Sequence, residues 1–261
     1  LGLAFVSIVA GLAAVARVEM RAREELDLQA DLYRLPYLER EAARLWPEHP
    51  SRIPALEAWL ASAERLAQRL PLHERALEAL RASASEQVRY ETLRETVVGL
   101  RAFSDPEHGL LAEVQRRLDW ARDVERLTLL EPASAWARAE AAVASEAGPY
   151  CGARLVRTLG LVPLGADPHS QLEEFAFARS GAVPARDPAS GALKLDEASA
   201  IVFVLVPGGE FRMGAQASAA DAPGYDPLAR PEESPVHAVR LQSFWIAKHE
   251  LTQGQWSRLG G

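Results

Sequence analysis

The chain has 261 residues, 48% hydrophobic and 25% charged, with 36 acidic side chains against 29 basic ones for a net charge of −7. That length suits one large or two modest domains, and the acidic balance, with no arginine cluster standing free of glutamate, excludes nucleic acid as the main partner. Cys151 is the only cysteine, which excludes a disulfide within the chain and a two-thiolate metal site.

The sequence opens at Leu1, without an initiator methionine, on an apolar run to Ala16 that carries no charge. Sixteen residues span only about 24 Å as a helix, short of the roughly 20 residues that cross a bilayer. Three readings stand: the end of a transmembrane helix, a signal peptide with Ala14-Val15-Ala16 as its small-residue cleavage site, or a buried helix. Helical character continuing from Arg17 favours the first. Residues 1–17 are thus expected to attach the protein to a membrane, with the C-terminal part outside the cytoplasm.

Residues 18–147 are dominated by Ala, Leu, Glu and Arg, which lose least on entering a helix. From Ser51, the residues Ile53, Leu56, Leu60, Ala63, Ala67 and Leu70 recur at steps of three and four and form one stripe, with Pro54 tolerated in the first turn. Ala76, Leu77 and Leu80 begin another face, and Leu93, Val97 and Leu100 a third. Asp105-Pro106 reads as an N-cap with proline at the first helical position, ahead of Leu111, Val114, Leu118 and Ala121. A last helix carries Trp136 between about Pro132 and Ser145. Pro36, Pro47, Pro71, Pro106 and Pro132 favour several short helices, packed as a bundle or as coiled-coil-like segments, over one long coil. The region serves as a stalk or sensor, or as a plain packed helical domain.

Composition shifts at Gly148-Pro149. Residues 148–199 read as a Gly/Pro-rich lead-in with small strands at 161–164 and 175–177 and turns at Asp167-Pro168 and Asp187-Pro188.

In residues 200–261, Ile201 to Val206 is a β-branched run. Pro207-Gly208-Gly209 supplies the fixed and positive φ of a tight turn, so a hairpin is expected, with Phe211 and Met213 on one face of its return strand. Residues 215–234 read as a long loop entered at Gly214. Val239 and Leu241 resume a period of two. Thr252 and Gln255 can form a capping box, and Leu251 can pack on Trp256 as a hydrophobic staple, so a helix should begin at about Thr252.

The order "VPGGEFRMG", acidic loop, "PVHAVRL", "FWIAKHELTQGQW" resembles the opening of the formylglycine-generating enzyme family, the sulfatase-modifying-factor domain, over roughly Ala200 to Gly261. The resemblance implies an α+β chain: a helical bundle or coiled-coil-like region, then the beginning of an irregular, C-type-lectin-like domain. Named members oxidise a sulfatase cysteine to formylglycine with a copper-binding cysteine pair near the end of the domain. That pair is expected outside these residues, so the chain reads as a fragment without catalytic activity. Copper and calcium are implied for a full-length domain, and a protein or peptide as substrate or ligand.

Domain order alone is also similar to bacterial membrane proteins with a cytoplasmic serine/threonine kinase, which makes an extracytoplasmic sensor or binding region the alternative. A non-catalytic structural module is the third reading. P-loop, kinase, nucleophile-elbow and His-Glu-x-x-His motifs are absent from the sequence. His237 and His249 flank a strand without a nearby third ligand, and the acidic loop residues Asp226, Glu232 and Glu233 offer oxygens to calcium without EF-hand spacing. No catalytic, cofactor or metal residue is assigned. The site residues are structural: Pro207, Gly208, Gly209, Gly214, Thr252, Gln255 and Trp256.

Overall fold

The computed structural model describes the backbone of residues 2–81 and 86–259, with side chains described from Val18 onward except at Arg21. The Leu1–Ala16 run, on which the membrane and signal-peptide readings rest, lies outside the residues whose side chains are described. Among the described residues no helix is long and apolar enough to cross a membrane. The chain is mixed α+β and divides into two compact units, Leu1–Asp123 and Val124–Gly261.

The first unit is helical. Helix α1 (Gly2–Arg44) lies with α2 (Ile53–Ala67), α3 (Leu70–Leu80), α4 (Gln87–Phe103) and α5 (Leu110–Glu125). Leu56, Leu60 and Ala63 are buried as their spacing requires, together with Trp59 and Leu66, against Leu35, Leu38, Leu100, Phe103, Val114 and Leu118. Each such leucine contributes roughly 1.5–3 kcal/mol by leaving water. The Trp59 indole donates to the Leu38 carbonyl at 3.0 Å, and its ring lies 5.9 Å from Phe103. A buried ring therefore keeps its donor satisfied.

Two local expectations are corrected here. Pro36 lies inside α1, which runs 43 residues without ending there; buried Leu35 and Leu38 hold the helix across the hydrogen bond that proline cannot donate. Asp105 does not cap α5. Its carboxylate accepts from the Glu107 and His108 amides and so closes a separate turn, and the helix starts at Leu110. Those two bonds hold the Asp105 carboxyl below its usual range.

The second unit packs α6 (Ala133–Ala144) on a four-stranded antiparallel sheet of order β1-β2-β3-β6, namely Leu161–Ala166, Glu173–Phe177, Ile201–Val206 and Phe244–Ala247. Its core is aromatic. Trp136 lies 5.4 Å from Phe175, which meets Trp245 edge-on at 4.5 Å, and Trp136 donates to the Thr128 carbonyl within a π-helical turn at Arg126–Leu130. A second sheet has two strands, β4 (Gly209–Met213) and β5 (His237–Leu241).

The expected 201–213 hairpin does not form. β3 pairs with β2 and β6, while β4 pairs with β5, so Pro207-Gly208 is a crossing between sheets. Neither Gly208 nor Gly209 has positive φ. At Gly208 the requirement is close approach: a Cβ there would sit 2.8 Å from the Leu241 carbonyl oxygen, whereas one at Gly209 would meet nothing within 4 Å. Proline's missing donor and the bare Gly208 let the chain leave one sheet beside the other.

Candidate functional site

In the second unit a set of charged side chains gathers around Lys248, the residue after β6. Its backbone amide donates to the Val202 carbonyl at 2.8 Å, which fixes where the side chain departs. The ammonium donates to Asp167 Oδ2 at 2.6 Å and to Glu174 Oε1. Glu174, on β2, is fully buried and accepts a second charge-assisted bond from Arg186 Nη2 at 2.6 Å. Arg186 also donates to the carbonyls of Leu164, Gly165 and Gly191 at 2.7–2.8 Å. The guanidinium thereby ties the 182–194 loop to the β1 end, using the several donors that lysine could not supply. Asp167 caps its own turn, accepting from the His169 and Ser170 amides.

This arrangement favours the charged forms of Asp167 and Lys248. The Lys248 hydrogen bond, with the two turn amides, keeps Asp167 ionised well below the usual carboxylate range. Partial burial opposes the charge on Lys248, but its two carboxylates outweigh that and raise its pKa. A lysine held protonated is no nucleophile, and a carboxylate held ionised is no general acid. Next door, burial pushes the Glu173 carboxyl and the Tyr150 phenol up. The phenol bridges strands: it accepts from the Glu173 amide at 2.7 Å and donates to the Leu205 carbonyl at 2.9 Å.

The predicted structural residues lie apart from this cluster. Thr252 Oγ1 accepts from the Gln255 amide at 3.2 Å and Gln255 Oε1 from the Thr252 amide at 3.1 Å, at the start of α7 (Gln253–Arg258). Gln255 and Arg258 both reach the Ser199 carbonyl, and Arg258 the Ser180 carbonyl at 2.6 Å, which pins α7 to the 180–199 segment. His249, Glu250, Asp196 and Ser199 border a small cleft of about 110 Å³ beside this cap. Gly214 has φ +102°, and a Cβ there would lie 2.6 Å from the Glu233 carbonyl oxygen. Leu251 and Trp256 are both more than half exposed. Sequence reasoning did not find the Lys248 cluster; the available signal was a lysine directly after an apolar strand in a chain with only Lys194 besides.

The described residues do not gather ligands for the metals that the resemblance implies. Cys151 is exposed, lies outside the resembling segment and has no second thiol. Asp226 and Glu233 accept from the Leu228 and Arg230 amides of their own loop, and His237 Nδ1 lies 2.8 Å from the Pro235 carbonyl. Among the described residues no group of three His, Cys, Asp or Glu could hold a metal ion.

The first unit has its own buried polar cluster. Asp31 and His73 are fully buried, with Asp31 Oδ2 3.0 Å from His73 Nε2 and Oδ1 3.2 Å from Arg69 Nη1. Among the described residues His73 Nδ1 has no hydrogen-bond partner.

The C-terminal segment also carries uncovered apolar surface. In the β4–β5 register Phe211 faces Val239 and Gly209 faces Leu241, so Phe211, Met213, Val239 and Leu241 share one face. Every residue of β4 is exposed.

Residues 190–259 match the family of the sulfatase-modifying factor enzyme 1-like domain. This stretch of that domain includes β3 to β6, Lys248 and α7. No curated protein and no solved structure matches the chain.

Proposed function

We propose that the second unit is the opening portion of a sulfatase-modifying-factor domain, acting as a binding scaffold without a catalytic centre of its own. The remainder of such a domain would cover the outer face of β4, β5 and α7. The observation that carries this reading is the solvent position of Phe211, Met213, Leu241 and Trp256 on elements of the matched segment. A two-stranded ribbon with no buried face is marginal by itself, and large clustered apolar side chains mark a surface that something covers. The charged cluster supports a scaffold role, because Asp167 is held ionised and Lys248 protonated.

The test is chemical. A sulfatase-type cysteine peptide incubated with the purified 261-residue chain, with and without copper, should keep its thiol, read by mass spectrometry. Formylglycine in that peptide would overturn the assignment of a non-catalytic scaffold.

A further inference from the structure

Helix α1 has two apolar faces, and the bundle covers only one. Leu28, Asp31, Leu35, Leu38 and Ala42 point inward, buried or half-buried. On a 3.6-residue turn Leu26, Tyr33 and Tyr37 fall within about 40° of one another and about 180° from Leu35. They are 66%, 79% and 53% exposed. Exposed Ala22 and Ala30 share this outer face, and Val18 flanks it. The charges of this stretch are displaced from the stripe, except for Glu19 at its start and Arg40 at its end. Neither of these two makes an ion pair among the described residues.

We propose that this outer face of α1 is a self-association surface, on which a second copy of the chain lays its own α1 antiparallel. A two-fold axis beside Ala30 sets Tyr37 over the partner's Ala22 and Tyr33 over the partner's Leu26. Each large side chain then meets a small or complementary one, and Glu19 meets the partner's Arg40. A parallel pair would stack tyrosine on tyrosine, Glu19 on glutamate and Arg40 on arginine, so charge and size both select the antiparallel direction. The area reaches the low end of a specific interface: the exposed 79% and 53% of Tyr33 and Tyr37, from roughly 150–250 Å² each, with Leu26 and Val18 on both copies, approach roughly 1,000 Å².

Two experiments on the full chain test it. In a Cys151→Ser background, Ala22→Cys and Tyr37→Cys chains carrying different tags are mixed and oxidised. The mixed disulfide should dominate, with little self-linking of either chain. Self-linking of Ala22→Cys would establish a parallel pair and overturn the proposal. Sedimentation equilibrium of the unmodified chain should give a dimer. Leu26→Glu with Tyr33→Glu should weaken it at least about tenfold, as for the loss of an interface anchor, without changing helix content. Arg40→Glu should weaken it, and adding Glu19→Arg should restore it. A chain that stays monomeric, or a dimer indifferent to these changes, would refute the proposal.

Discussion

Replacing Glu174 by glutamine keeps the shape of the side chain and removes the one charge that both Lys248 and Arg186 share. Glu174 is fully buried, whereas the Lys248 and Arg186 side chains retain 28% and 20% exposure. Breaking a buried ion pair costs about 3–5 kcal/mol, and water reaching the two cations places this case near about 3, a shift of roughly 150-fold in the folded-to-unfolded ratio. Urea unfolding followed by amide hydrogen exchange on β2 and β3 reads this unit, whereas tryptophan fluorescence would also report Trp59 of the first. Lys248→Met alone should cost less, since Glu174 keeps Arg186. The double variant should lose less than the sum, because Lys248→Met also removes the ammonium that Glu174→Gln leaves with Asp167 as its one carboxylate. A Glu174→Gln chain within about 1 kcal/mol of the parent, or strict additivity in the cycle, would refute the reasoning; those thresholds follow from ordinary surface-pair values of about 0–1 kcal/mol.

Acid should destabilise the same unit. Asp167 has a folded pKa below its unfolded value of about 3.9, so its contribution is complete above that pH and is lost as pH falls through the lower folded value. An acid melting series on Lys248→Met should lose part of that slope; an unchanged slope counts against the pair. Gly208→Val should cost about 1–3 kcal/mol by forcing β4 from the Leu241 carbonyl, while Gly209→Val should change little. Equal losses in thermal melts would contradict the crossing geometry. Tyr150→Phe removes the acceptor of the Glu173 amide and the donor to Leu205, with an expected loss of about 1–3 kcal/mol by urea titration. A neutral result would show that water replaces the phenol.

Local signals carried much of this fold. The spacing of Leu56, Leu60 and Ala63 follows from helical period alone, and all three are buried. A capping box is likewise legible because its bonds close within four residues. What escaped were partners chosen across long separations. β4 prefers β5, beyond the 215–234 loop, to its sequence neighbour β3, and no local rule at Pro207-Gly208-Gly209 encodes that choice. Lys248 meets Asp167 and Glu174 across 81 and 74 residues, and the Asp31–His73 pair spans 42. The Asp105-Pro106 turn misled for the opposite reason: its capping chemistry is real but closes one turn before the helix.

Amide hydrogen exchange on β4 and β5 tests the account most directly, comparing the 261-residue chain with a chain extended by the remainder of a sulfatase-modifying-factor domain. Exchange at Phe211 and Val239 should be rapid in the former and strongly protected in the latter. Equal, strong protection in both would contradict it, because the ribbon would then be stable with its apolar face uncovered.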